Sequence, residues 1–255
     1  MNMNNNEKKQ QKFGVIDLHT HILPQMDDGS SSVEESMAML HLLYEQGAQT
    51  VVATPHFEAW IDSPESFFER RTRAAEELKA AVAAEIQRGV ALPRIVLGAE
   101  VAFFKGMSHS TALERLCIDG TRLLLVEMPF DKWDEQTLKE IIEIRSSKGI
   151  VPVIAHIDRY FDMQSKANIS ALLLSDVMIQ INADSLLRFG ARRRVIKMLL
   201  DGRVDFLGSD CHDMAKRSPN IGAAADVILK KCGESSISML AERGKDALCG
   251  ATRLV

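Results

Sequence analysis

Short apolar runs alternate with longer stretches of helical periodicity along most of this chain. The runs are Val15–Leu18, Thr50–Ala53, Arg94–Leu97, Leu123–Val126, Val151–Ala155, Val177–Ile181 and Val204–Leu207. Each is rich in Val, Ile or Leu, as strands buried on both faces of a parallel sheet are. Between them the spacing becomes helical. Ser32 can cap a helix, with Glu35 three positions on to complete a capping box. Val33, Met37, Leu40 and Tyr44 then share one face, and Gly47 stops the pattern. Pro64–Arg88 opens with a proline suited to a first turn and is rich in Ala, Glu, Lys and Arg. Asp134–Lys148 ends against Gly149. Further helical patterns cover Ser185–Leu200 and Ala223–Lys231, and the last residues fit a helix end or a loop equally.

Strand–helix alternation without a long linker predicts right-handed βαβ units in one α/β domain. Seven strands exceed what a small flavodoxin-like sheet needs, so a closed or nearly closed β/α barrel is the first expectation. An open doubly wound sheet is the second. Residues 1–12 are polar and lack the apolar core of a secretory signal, so they read as a frayed tail before a single domain over 13–255.

Composition narrows the function. Of 255 residues, 46% are hydrophobic and 26% charged, which fits a chain with a sizeable core and excludes disorder for its bulk. No run approaches the roughly 18 uninterrupted apolar residues of a membrane span. Lys and Arg number 31 against 35 Asp and Glu, a net charge of −4 that argues against broad binding to nucleic acid or anionic membrane. The four cysteines, Cys117, Cys211, Cys232 and Cys249, show no paired spacing and read as reduced thiols of a cytoplasmic protein.

The polar residues that interrupt this pattern fall at strand ends. Asp17-Leu18-His19-Thr20-His21 closes the first strand, and period-two alternation sets both imidazoles on one face. Asp27-Asp28-Gly29 follows in a turn. Later strands end in Thr54-Pro55-His56, Gly98-Ala99-Glu100, Glu127-Met128-Pro129, His156-Ile157-Asp158-Arg159 and Ser209-Asp210-Cys211-His212. In a β/α barrel these ends converge on the face where active sites lie. A charged residue near one strand end is ordinarily loop solvation, but five of the seven histidines share this placement. His41, within a helical pattern, and His109, in a polar loop, read as structural or solvated.

DLHTHILPQMDDG, ATPHF, GAEVAFF, LLLVEMPF, VIAHIDRY and GSDCHDMAKRSPN together resemble the PHP (polymerase and histidinol phosphatase) superfamily. Within it they look like the bacterial metal-dependent protein-tyrosine phosphatases of capsule and exopolysaccharide operons. The resemblance runs in order from about residue 13 to the end of the chain. It implies a distorted seven-stranded β/α barrel with a three-metal site. Residue by residue, it implies one metal on His19, His21, Glu100 and Asp210, and a second on Glu100, Glu127 and His156. A third would sit on Asp28, His56 and His212. Asp28 matches the family ligand, although from the sequence alone either Asp27 or Asp28 could turn inward. The family commonly has Glu before the arginine of the HIDR motif, where this chain has Asp158.

Imidazole and carboxylate ligands suit borderline divalent ions, and the resemblance points to Mn, with Fe or Zn as alternatives. Bound metals lower the pKa of water toward neutrality, and three dications outweigh four carboxylates by formal charge. Arg159 and Arg217, each close to a candidate ligand, offer paired donors to a phosphate. Arg192, Arg193 and Arg194 instead read as a solvated helix face. A tyrosine leaving group, with a pKa near 10, needs less protonation than an alkoxide. The implied reaction is phosphomonoester hydrolysis, and the implied partner is the phosphorylated tyrosine-rich tail of a bacterial kinase that controls polysaccharide export. Oligomeric state stays open.

Other chemistries stay open too. Cys211 through Ser218 contains C-x5-R-S, the spacing of cysteine-dependent tyrosine phosphatases, but its five intervening residues include no glycine to let backbone amides approach a phosphate. A histidinol-phosphatase-like enzyme, a metal-dependent nuclease and a non-enzymatic metal- or kinase-binding protein are the remaining alternatives.

Overall fold

The computed structural model describes residues 14–255, so the expected tail at 1–12 lies outside it. All named strand pairings are parallel. β1 (Val15–Thr20), β2 (Ala48–Ala53) and β4 (Arg94–Leu97) form one sheet in the order β1-β2-β4. A second sheet runs β3-β5-β6-β7-β8-β9, from β3 (His56–Phe57), β5 (Glu100–Ala102), β6 (Leu123–Glu127), β7 (Val151–Ile154), β8 (Met178–Asn182) and β9 (Phe206–Gly208). All seven expected strands are present with their ends within two residues of those expected, the last beginning at Phe206 rather than Val204.

β3 and β5 are additions, and they split the single sheet expected from the sequence. The break has a local cause. Pro55 carries no N–H for a ladder, and the amide of His56 donates to Asp27 Oδ2 at 2.8 Å. Pairing nevertheless continues across the gap, since Gly98 N donates to Ala53 O (2.8 Å) and Glu100 N to Pro55 O (3.0 Å). The sheet curls until its first strand meets the segment after its last. Asp210 N donates to His19 O at 2.8 Å, and His21 N to Cys211 O at 2.9 Å.

The helices occupy the crossovers: α1 (Val33–Glu45), α2 (Pro64–Gln87), α3 (Leu113–Leu116), α4 (Glu135–Lys148), α5 (Lys166–Leu173), α6 (Ala183–Leu187), α7 (Phe189–Leu200), α8 (Ile221–Cys232) and α9 (Glu234–Ala247). Ser32 Oγ caps α1 through the Glu35 amide. The Glu35 carboxylate reaches the amide and hydroxyl of Ser31 rather than closing the expected box on Ser32. Asp134 caps α4, and Gly149 ends it at φ 63°. The helix expected over Ser185–Leu200 is two helices, because Arg188 takes an extended conformation between α6 and α7. α3, α5 and α9 were not expected. Among the described residues no helix is long and apolar enough to cross a membrane.

Alternate strand positions feed two apolar clusters, as period-two side chains must. Leu124, Val126, Ile154 and Ile181 join helix residues such as Leu40, Leu78, Ile141 and Ile228. Leu18, Val52, Leu125 and Val153 form a smaller cluster with Ile118 and Leu248.

Asp17 helps join the edges. Its Oδ1 accepts the Ser209 amide at 2.8 Å, while its buried Oδ2 has no hydrogen-bond partner. Burial pushes the Asp17 carboxyl up to about 6, against opposing hydrogen bonds from Ser209 and His19. A carboxyl held above its unfolded value weakens the fold as pH rises, because between about pH 4 and 6 the unfolded chain releases a proton that the folded chain keeps. Asp17→Asn removes that charge and retains a carbonyl oxygen for Ser209. In metal-stripped protein, urea unfolding should show the variant up to about 3 kcal/mol more stable than wild type at pH 7, with the gap closing toward pH 4. A variant that is less stable at pH 7 contradicts this account.

Candidate metal centre

The curl brings residues from six strand ends to one place. Glu100, at the start of β5, lies at its middle with 1% exposure. Its Oε2 is 3.0 Å from His19 Nε2, 3.3 Å from His21 Nε2 and 3.1 Å from His56 Nδ1. Its Oε1 is 2.9 Å from His156 Nε2, which is itself 3.4 Å from Glu127 Oε1. Asp210 Oδ1 closes the other side, 3.6 Å from His19 Nε2 and 3.5 Å from His21 Nε2. Asp28 Oδ1 lies 3.5 Å from His56 Nε2 and 3.3 Å from His212 Nε2.

All nine candidate ligands therefore meet in one centre. Donor atoms within 4.8 Å of one another fall into three sets: His21, Asp28, His56 and His212; His19, His21 and Asp210; and His56, Glu100 and Glu127. These sets differ in detail from those the resemblance implies, since His21 and His56 each join two of them. The two aspartates of the DDG turn take different roles. Asp28 faces His56 and His212, whereas Asp27 Oδ2 receives His21 Nδ1 at 2.8 Å and fixes that ring. Arg159 and Arg217 both reach Asp210, the former through a short contact and the latter at 2.9 Å. Arg217 also approaches Asp28 Oδ2 at 3.6 Å. Both arginines are about one-third exposed, so their guanidinium groups remain open to a ligand. His41 and His109 lie apart, His41 facing Glu85 at 3.8 Å and His109 in a short 3-10 turn.

Two residues of the centre adopt left-handed backbone, His156 at φ 31° and Asp210 at φ 54°. Non-glycine residues in sparsely populated regions of this kind cost about 1–3 kcal/mol each and concentrate at functional sites. Here the conformation turns each side chain inward at a strand end.

A further layer escaped the sequence reading. Gln180 on β8 accepts the His156 amide at 2.6 Å and lies 3.5 Å from His19 Nδ1. Asn182 Nδ2 donates to Asp210 Oδ2 at 2.8 Å, and the Asn182 amide donates to Asp158 Oδ1 at 2.9 Å. Asp158, the departure from the family pattern, is thus a partly buried brace of β8. The Gln180–Asn182 spacing, period two on a strand leading to the site, was the available signal.

The charges are tuned by this crowding. Burial would raise the Glu100 carboxyl, but His19, His156 and His21 hold it well below the usual range. Burial would lower His21, yet Asp27 and Glu100 hold it up to about 10. His156 rises to about 9, because Glu100 and Glu127 outweigh its desolvation. His212 moves the other way, to about 4, through burial and the nearby His21. Convergent imidazole nitrogens and carboxylate oxygens fit borderline divalent cations, and the hydrogen-bond-free His212 Nε2 adds an unused ligand atom.

Residues 15–248 match the family described as capsular polysaccharide synthesis, CpsB/CapC. The chain belongs to the CpsB/CapC family. It is 29% identical over 239 residues to a Bacillus subtilis tyrosine-protein phosphatase, YwqE, covering 91% of this chain and 90% of that one. It is 29% identical over 235 residues to the Streptococcus pneumoniae tyrosine-protein phosphatase CpsB, covering 86% and 91%. A crystal structure from work on YwqE of B. subtilis and CpsB of S. pneumoniae, described as unique metal-dependent tyrosine phosphatases, superposes with a TM-score of 0.78. That match has 26% identity and covers 94% of this chain and 97% of the other. The fold and a candidate metal centre therefore go together in this CpsB/CapC chain.

The packing behind the centre is close. A Cβ on Gly208 would lie 2.6 Å from Gln180 Nε2 and 2.6 Å from His19 Cβ. We expect Gly208→Ala to cost about 1–3 kcal/mol in urea unfolding, the range for overpacking a tight site. Unchanged stability would show that His19 and Gln180 have room to move.

Proposed function

We propose that this chain is a metal-dependent protein-tyrosine phosphatase acting on the phosphorylated tail of a bacterial tyrosine kinase in capsular or exopolysaccharide synthesis. Its kinship with tyrosine-protein phosphatases supports the activity. The observation that carries it is the gathering of four carboxylates and five imidazoles beside two arginines that are about one-third exposed. We place the chain in the PHP superfamily. If β2/β3 and β4/β5 are counted as single interrupted strands, the curled sheet becomes a distorted seven-stranded barrel.

The ligand sets proposed are those of the resemblance: His19, His21, Glu100 and Asp210; Glu100, Glu127 and His156; and Asp28, His56 and His212. Mn is the cation we favour, with Fe or Zn as alternatives. When bound, the cations would activate water and neutralise phosphate charge. Arg159 and Arg217 would supply paired donors to the phosphate oxygens, which carry the charge of a phosphoryl-transfer transition state. Glu100 and Asp210 hold the imidazoles in register, and Asp27 fixes the His21 tautomer by taking its Nδ1 proton in a hydrogen bond.

The cysteine chemistry has no support in the geometry. Cys211 is fully buried, and burial raises its thiol well above the ordinary value, with Asp17 adding to the effect. A thiolate nucleophile needs the opposite environment.

Chelation should abolish hydrolysis of a phosphotyrosine peptide and added Mn should restore it, while Cys211→Ser keeps its activity. Retained turnover in chelator, or loss of activity in Cys211→Ser under full metal loading, would sink the metal mechanism.

Arg159→Ala should lower kcat/KM for the peptide by about ten- to a hundredfold, the worth of a charge-assisted hydrogen bond, with metal content unchanged. Kinetics equal to wild type would remove Arg159 from the site.

The facing carboxylates hold His21 up to about 10 and His156 up to about 9, so both rings are expected as imidazolium at neutral pH in the metal-free protein. Metal ligands must be deprotonated. Loading Mn at pH 7.5 should therefore release about two protons per chain, measurable with a pH indicator. No release would contradict the displacement of imidazolium protons from these two rings by the cation.

A further inference from the structure

Phe130 sits three residues beyond Glu127, on the loop leaving β6, and is 52% exposed. Its ring lies within 20° of parallel to that of His156, with centroids 6.0 Å apart, and its centroid is 5.3 Å from that of Tyr160. An exposed phenyl ring at the edge of a polar centre has an open face and no hydrogen bond to gain from water.

The loop beneath it is held firmly. Tyr160 Oη donates to Met128 O at 2.9 Å, and Trp133 Nε1 donates to Pro129 O at 2.9 Å. Gln164 Nε2 donates to Asp131 O at 2.7 Å, while Gln164 Oε1 accepts the Trp133 amide at 3.0 Å. Tyr160 and Trp133 are themselves buried and in edge contact, at 5.0 Å between centroids. These bonds fix the backbone on both sides of Phe130, so its ring is presented in place before any ligand arrives. The aromatic core beneath is already filled by Tyr160 and Trp133, which leaves the outer ring face without a packing role.

We propose that Phe130 is a specificity-determining residue: a rigid platform on which the aryl ring of the substrate stacks while its phosphate enters the centre. This rests on the phosphatase reading and deepens it, since it makes the site selective for aryl over alkyl phosphomonoesters. Offset or edge contact between two aromatic rings supplies affinity beyond that of area alone. Inorganic phosphate has no ring and gains nothing from the platform.

The test uses full-length, Mn-loaded protein, with wild type compared with Phe130→Leu, Phe130→Ala and Phe130→Tyr. Leu keeps much of the apolar volume without the ring, and Tyr keeps the ring. KM for a phosphotyrosine peptide and for p-nitrophenyl phosphate should rise about three- to tenfold in the Leu and Ala variants, the range an aromatic pair supplies. The Tyr variant should stay within about twofold of wild type. Inhibition by inorganic phosphate and bound Mn should be unchanged in all of them. A wild-type KM in Phe130→Leu would overturn the proposal, and so would a phosphate inhibition constant that rises in parallel with KM. Turnover by wild type together with either result overturns this inference alone. No turnover of either ester by wild type overturns the phosphatase reading and this inference with it.

Discussion

One buried carboxylate organises this protein. Glu100 has almost no contact with solvent, yet its two oxygens face four imidazoles, from His19, His21, His56 and His156. Burying a carboxylate is unfavourable unless it is paired, and here the partners come from β1, from β3 and from the end of β7. The curl of the sheet brings the strands carrying them around Glu100. His156 and Asp210 both adopt left-handed backbone at this centre, His156 pairing with Glu100 and Asp210 facing His19 and His21.

The outer layer shows how the polar cost is distributed. Asp27, Gln180 and Asn182 do not face the middle of the cluster; each occupies the free side of a residue that does. Asp158 continues the chain outward through the Asn182 amide. Such connected networks are stabilising when every member is satisfied. The unpartnered Asp17 Oδ2 and the ring nitrogens His156 Nδ1 and His212 Nε2 mark where satisfaction is incomplete.

Much of this was legible in the chain. Short Val- and Ile-rich runs located the main strands because β/α architecture buries both sheet faces, and the histidines and acids stood out by falling just past those runs. β3 and β5, of two and three residues, were too short for any periodicity to register. The break at Arg188 was hidden because a helical pattern continues through it. α9 contains Gly244, whose closeness to Ile16 favours a small residue that propensity counts against a helix. Gln180 and Asn182 were missed because a neutral amide serves many purposes, and only coordinates show which hydrogen bond it makes. The choice between Asp27 and Asp28 was open for a similar reason: adjacent identical residues in a turn differ only in direction.

The joining of β1 to the segment after β9 has a consequence for biogenesis. His19 and His21 emerge from the ribosome early, but Asp210, His212 and Arg217 follow only when most of the polypeptide has been made. A prematurely terminated product lacks one wall of the cluster and cannot complete it. The candidate centre is therefore closed only once residues 210–217 have been made, although Glu100, Glu127 and His156 precede them.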